Sequence, residues 1–251
     1  MTRSGFASRL ASADRPLIGT WVKIPALEPI EILADAGFDY IVIDMEHAPL
    51  TFEFAYSAIV AAQGFGLSAV VRVPDRSGSH LQRLLDAGVD GVLVPRVTTV
   101  DEAAAAVRQM LFSPRGDRGL GTTSRAGRWG GLDRDEYLRF GDEEVMRAVQ
   151  LEDRGSIEEA EAILEIDGLN GVFLGMGDLT LSTRLPQSDP ALQKLADFLL
   201  SAAQSRDIPV GTAVGTTEQA RAAVDRGFRY VMVSNDTSLL RSAATSVLRG
   251  L

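Results

Sequence analysis

The chain has 251 residues, enough for one large α/β domain, and its 45% apolar content supplies a full core. A net charge of −9 works against binding nucleic acid or an anionic membrane surface. No stretch has the ~18 consecutive apolar residues of a membrane span or the apolar centre of a signal peptide, so a cytoplasmic protein is expected. The absence of cysteine excludes disulfides, thiolate nucleophiles and zinc–thiolate sites, and with two lysines against 23 arginines a lysine-based mechanism has only Lys23 and Lys194 to draw on.

From the N-terminus, short β-branched runs alternate with amphipathic stretches. The predicted strands are "LIGTWV" (17–22), "YIVID" (40–44), "AVVRV" (69–73), "GVLVP" (91–95), "AVQLE" (148–152), "GVFLG" (171–175), "IPVGTA" (208–213) and "YVMVS" (230–234). Most are apolar on both parities, as parallel strands covered on both faces are. Between them lie helical patterns, of which four end at a glycine just before a strand: Gly37, Gly88, Gly168 and Gly227. Thr51, Thr99, Ser156 and Thr216 stand where N-caps are expected. The pattern predicts a single (β/α)₈ TIM barrel over residues 1–251; an open doubly wound sheet is the alternative, but no glycine fingerprint follows the first strand.

The longest interruption, 112–146, contains "SPRGDRGLGTTSRAGRWGG" and a helical "DRDEYLRFGDEEVMRA". Its arginines and glycines suit a solvated loop or one that helps hold a small anion, and with Trp21 the segment from Arg118 to Trp129 is expected to shape part of a substrate pocket. The last stretch, "TSLLRSAATSVLRGL", reads as a helix with an apolar stripe that caps the barrel or docks on another subunit.

In such a barrel the active site forms at the C-terminal ends of the strands. Those ends carry Trp21 to Lys23, Asp44 to His47, Arg72, Gln150 and Glu152, Gly175 to Asp178, and Ser234 to Asp236. Two carboxylates facing each other, Glu152 and Asp178, repel unless one is protonated or a cation lies between them, and oxygen ligands of this kind suit Mg²⁺ or Mn²⁺. The alternative is that each finds a structural cation or a helix N-terminus. His47 is either a structural histidine or a proton carrier, and Asp44, three residues earlier, is a natural partner to fix its tautomer. His80 is expected at the surface. An inward Arg72 needs an anion, such as a substrate carboxylate or an enolate. Metal, base and arginine in one cup suit proton abstraction beside a carbonyl or carbon–carbon cleavage that yields an enolate. A Schiff base would require Lys23, for which no means of activation is evident.

In this order and spacing, "GFDYIVIDMEHAP", "VVRVP", "LQRLLDAGVDGVLVPRV", "RGLGTTSRAGRWG", "VQLED" and "GVFLGMGDL" resemble the HpcH/HpaI aldolases, from about residue 17 to 240. The resemblance implies a lyase that cleaves a 4-hydroxy-2-oxo acid to pyruvate and an aldehyde with Mg²⁺, Mn²⁺ or Co²⁺. It further implies that His47 belongs to the acid/base machinery and that Arg72 stabilises the enolate. Glu152 and Asp178 would bind the metal, and Gln150 and the Gly177 backbone would touch the pyruvate part. Asp86 would act on the histidine of a neighbouring subunit, within a hexamer built as a trimer of dimers with exchanged C-terminal helices. Where the family has proline in the sixth-strand loop, this chain has Met176, expected to add volume beside a metal ligand. Related alternatives are oxaloacetate decarboxylation with carbon–carbon coupling of the macrophomate synthase type, and a non-catalytic metabolite-binding barrel.

Overall fold

Strands β1 (Leu17–Val22), β2 (Tyr40–Asp44), β3 (Ser68–Arg72), β4 (Gly91–Val94), β5 (Met146–Leu151), β6 (Gly171–Leu174), β7 (Val210–Val214) and β8 (Tyr230–Asn235) pair in parallel in chain order, and β8 returns to β1 to close a barrel. The structure, a computed structural model, describes residues 4–250. All eight predicted strands form, so the TIM-barrel expectation holds and the open-sheet alternative falls.

Helix α1 (Phe6–Ser12) precedes the barrel. The connections carry α2 (Glu28–Asp35), α3 (Phe52–Gly64), α4 (Gly78–Asp86), α5 (Val100–Met110), α6 (Arg134–Arg139), α7 (Arg154–Glu158), α8 (Ala160–Ile163), α9 (Met176–Thr183), α10 (Pro190–Gln204) and α11 (Thr217–Arg226), and α12 (Asp236–Arg249) follows β8. Thr51, Thr99 and Thr216 cap their helices by accepting backbone N–H groups. Ser156 does not. The cap there is Asp153, whose carboxylate accepts the Ser156 N–H at 3.0 Å and starts α7 three residues earlier than expected. The four predicted terminal glycines all have positive φ, from 79° at Gly88 to 108° at Gly227, which an L side chain adopts only at a cost.

Strand parity divides the core into two layers. On one face of the strands, residues such as Ile41, Ile43, Val71 and Val149 pack outward against the helices, whereas on the other Tyr40, Val42, Val70, Leu93, Met146, Ala148, Phe173, Tyr230 and Met232 fill the barrel interior. Two large rings need space. A Cβ at Gly19 would lie 2.5 Å from the Tyr40 ring, and one at Gly211 would lie 2.1 Å from the Tyr230 ring, so glycine is required at both positions. Helix α1 closes the end of the barrel where the strands start: Phe6 is fully buried, with its ring centroid 4.7 Å from that of Tyr40.

The arginine–glycine segment docks at that same end. The N–H of Ala126 donates to the Asp86 carbonyl at 3.0 Å and Arg125 Nη1 to the Ala87 carbonyl at 2.9 Å, beside the end of α4 that leads into the start of β4. Hollows of about 300 and 550 Å³ flank Trp129 there and along the outer face of α3 and α4. The C-terminal helix does not cap its own barrel. Within α12 the one buried residue is Asp236, while Leu239, Leu240, Val247 and Leu248 are exposed. Asp236 accepts the N–H groups of Lys23 and Ile24, both at 2.9 Å, and ties the end of β1 to the start of α12. Among the described residues no helix is long and apolar enough to cross a membrane.

Candidate active site

Continuing the inward parity upward places the chemistry. On β2 the series Tyr40, Val42 leads to Asp44; on β3, Ser68 and Val70 lead to Arg72; on β5, Met146 and Ala148 lead to Gln150 and then Glu152. Asp44 and Arg72 are direct register partners across β2 and β3. Each is forced inward by a strand whose lower residues are committed to the barrel core.

Asp44 is fully buried and densely paired. Its carboxylate accepts from Arg72 Nε at 2.9 Å and Nη2 at 2.8 Å, and Lys23 Nζ lies 2.8 Å away. Burial alone would raise its pKa, but the Arg72 hydrogen bonds and charge, with Lys23, outweigh burial and bring it down to about 2. The anion that Arg72 needs is thus supplied by the protein. Trp21, also buried, lies beneath the guanidinium at 4.2 Å from ring centroid to Cζ, so it floors the cup through Arg72 rather than opening to it.

His47 sits at the rim with its side chain 47% exposed. The expected pairing of its ring with Asp44 is corrected: Asp44 accepts the His47 main-chain N–H at 3.1 Å, and the carboxylate facing Nε2, at 3.6 Å, belongs to Glu46. Asp44 faces inward along the strand, whereas the chain has left the strand by His47. Glu46 has a side chain 4% exposed and also meets Arg96 Nε at 2.8 Å and Arg72 Nη1 at 3.2 Å. Neither Glu46 nor Arg96 stands out in the sequence. The available signals were a carboxylate beside the histidine in "DMEHAP" and an arginine directly after the fourth strand in "VLVPRV".

Glu152 is the least comfortable group in the cup. Burial pushes its pKa up to about 7, the Gln150 and Arg96 hydrogen bonds oppose that, and the charges of Asp178 and Glu46 add to it. Its Oε1 accepts the Arg96 N–H at 2.8 Å and its Oε2 faces Gln150 Nε2. Arg96 adopts φ 55°, a left-handed conformation uncommon outside glycine, which turns that N–H toward the carboxylate. Gln150 leaves its Oε1 buried without a partner. Asp178 lies in the first turn of α9, exposed, and among the described residues its carboxylate accepts no hydrogen bond. A buried carboxylate under repulsion, a second one without a protein partner and an orphaned amide oxygen make a donor set that suits a hard divalent cation. Among the described residues no group of three or more His, Cys, Asp or Glu side chains gathers to hold a metal ion.

The other expectations divide. A Cβ at Gly177 would meet nothing within 4 Å, so its backbone borders open space at the cup. Met176 is buried in the layer between strands and helices, not in the cup, so the volume expected beside the ligand goes outward. Lys23 Nζ, which a Schiff-base route would need, is engaged by Asp44. Asp86 lies at the end of α4, remote from the His47 of its own chain, where it meets Gln82 Nε2 at 2.7 Å, Tyr137 Oη at 3.4 Å and Arg118 Nη2 at 3.5 Å. The segment from Arg118 to Trp129 lies there too. Neither can shape the cup of its own chain, because a connection that enters β5 from its N-terminal side starts at the opposite end of the barrel. His80 is part-exposed, with Nδ1 2.9 Å from Asp75.

A sequence model of the HpcH/HpaI aldolase/citrate lyase family matches residues 17–243. The chain is 36% identical over 249 residues to a 4-hydroxy-2-oxovalerate aldolase of Rhodococcus jostii, covering 97% of this chain and 94% of the relative. It is 32% identical over 239 residues to a 4-hydroxy-2-oxo-heptane-1,7-dioate aldolase of Escherichia coli, covering 94% and 90%. A crystal structure of an HpcH/HpaI aldolase/citrate lyase family protein from Burkholderia cenocepacia superposes with a TM-score of 0.90 at 34% identity over 97% of each chain.

Proposed function

The chain belongs to the HpcH/HpaI aldolase/citrate lyase family, and on that premise we propose that it is a cytoplasmic, divalent-metal-dependent lyase that reversibly cleaves a 4-hydroxy-2-oxo acid to pyruvate and an aldehyde. The observation that carries this reading is Glu152: a buried carboxylate pushed up to about 7 beside Asp178 and Glu46 has no structural purpose that a neutral side chain would not serve better. Relatives at 36% and 32% identity named as 4-hydroxy-2-oxo acid aldolases support the substrate class.

Glu152 and Asp178 are the residues that would hold the cation. Bound there, a divalent ion such as Mg²⁺, Mn²⁺ or Co²⁺ would supply positive charge to the 2-oxo group as the carbon–carbon bond breaks. Gln150 and the Gly177 backbone orient the pyruvate half. Arg72, locked in place by Asp44 and seated on Trp21, directs its Nη1 edge at the oxygen on which negative charge develops. The imidazole of His47 takes the proton of the 4-hydroxyl as the C3–C4 bond breaks, the aldehyde departs, and the proton returns to C3 to give pyruvate. Asp86 would reach His47 of an adjacent subunit in a homo-oligomer, a trimer of dimers. The exposed apolar face of α12 supports such an assembly, as does the distance of Asp86 from its own cup.

The test is pyruvate release from a panel of 4-hydroxy-2-oxo acids. A chelator should abolish it and Mg²⁺, Mn²⁺ or Co²⁺ restore it. Cleavage that survives chelation and is trapped by borohydride would overturn the reading.

A further inference from the structure

Glu46 is flanked by two guanidinium groups and one imidazole, from three elements. Its Oε1 is 2.8 Å from Arg96 Nε on the β4–α5 connection. Its Oε2 is 3.2 Å from Arg72 Nη1 on β3 and 3.6 Å from His47 Nε2 on the β2–α3 connection. Oε2 is buried yet accepts no hydrogen bond, although both neighbours lie within reach of a small side-chain rotation. Within the chain, Asp44, Arg72 and Lys23 are already engaged with one another. Asp44 is held by Arg72 and Lys23 and meets His47 through its main-chain N–H, and Arg72 Nε and Nη2 donate to Asp44.

Asp44 takes two of the five N–H groups of Arg72, and Glu46 Oε2 lies against the Nη1 edge that remains open to a ligand. An anionic oxygen arriving at Nη1 shares that edge of the guanidinium with Glu46 Oε2 and weakens the hold of Arg72 on it. Oε1 stays on Arg96, whose side chain is largely exposed. The carboxylate then turns Oε2 away from Arg72, and the next cation-forming group is the imidazole.

We infer that Glu46 is a positioning residue that couples occupation of Arg72 by the substrate's anionic oxygen to the basicity of His47, with Arg96 as the anchor that sets how much of its charge the imidazole feels. Before substrate arrives, two guanidinium groups share the carboxylate and its pull on the imidazole is weak. Once substrate shares Nη1, that pull strengthens at the moment a base is needed. This rests on the reading that the pyruvate half binds at Arg72, but the Glu46–His47 link is independent of it.

The chain has two histidines, and His80→Gln leaves one, so the ring signals of His47 can be followed by NMR against pH without ambiguity. In ligand-free protein, Glu46→Gln should lower the His47 titration midpoint and Arg96→Met should raise it. If both variants titrate at the parent midpoint, the inference is refuted, whether or not the protein is an aldolase. With saturating pyruvate and Mg²⁺ the parent midpoint should rise while that of Glu46→Gln stays fixed, and the acidic limb of the kcat profile should move with it. An equal rise in Glu46→Gln would overturn the coupling and leave the aldolase reading intact. If calorimetry shows that pyruvate does not bind, the aldolase reading falls, and the ligand-free titrations still decide the Glu46–His47 link.

Discussion

Replacing Glu152 by glutamine separates a carboxylate kept for function from one kept for structure. In the folded chain Glu152 titrates at about 7 against an ordinary 4.5. At about 1.4 kcal/mol per pH unit, carrying its charge above neutrality costs about 3 kcal/mol of folding free energy in the metal-free protein. The folded state keeps this proton to about pH 7 while the unfolded chain loses it near 4.5, so the unfolded state binds fewer protons in that window. Wild-type stability from this group is therefore greatest below about pH 4.5 and falls as pH rises through about 7. Glutamine has no charge to lose. Its amide oxygen can still accept the Arg96 N–H, and Gln150 can turn its unpartnered Oε1 to meet the new amide N–H. The variant is expected to be more stable than wild type by about 1–3 kcal/mol at about pH 8 in the presence of chelator, and roughly equal near pH 4.5. For a chain of this size that is a rise in Tm of about 2–12 °C. Mg²⁺ or Mn²⁺ should raise the Tm of wild type and leave the variant unmoved. Thermal melts at the two pH values, with and without metal, suffice. A variant less stable than wild type at about pH 8 without metal would refute the reasoning, because it would make Glu152 a net stabilising group.

Two further outcomes follow from the same geometry. Asp44→Asn leaves Arg72 and Lys23 without their shared anion and should cost about 3–5 kcal/mol in urea denaturation. The stability that Asp44 contributes is present above the ordinary carboxylate range and is lost as pH falls toward about 2, so wild type should lose it there and the variant should show no such loss. If Asp86 acts on the histidine of a neighbouring subunit, His47→Ala and Asp86→Ala chains should each be nearly inactive alone yet recover about a quarter of wild-type activity when coexpressed, since about one site in four then receives both intact residues. No recovery in verified mixed oligomers would exclude the shared site.

What was legible in the sequence is local. All eight strands, the four closing glycines and three helix caps depend on periodicity and backbone preference over a few residues, and each appears where it was read. The inward direction of Asp44, Arg72 and Glu152 follows from parity along single strands. Helix α1 was not read as a helix, because its seven residues show no clear period and its purpose, closing the barrel end with Phe6, exists only once the barrel has formed.

By itself, then, the sequence determined the closed barrel, the end at which Asp44, Arg72 and Glu152 gather, and the family. Tertiary structure alone decided the partners: Asp44 on Arg72 and Lys23 rather than on the His47 ring, Glu46 between Arg72, Arg96 and His47, Met176 outward, and Asp86 with the arginine–glycine segment at the opposite end. The physical reason is that facing along a strand repeats every two residues and is written locally, whereas pairing across connections depends on which loops closure brings together, and residues far apart in sequence such as Glu46 and Arg96 meet only then.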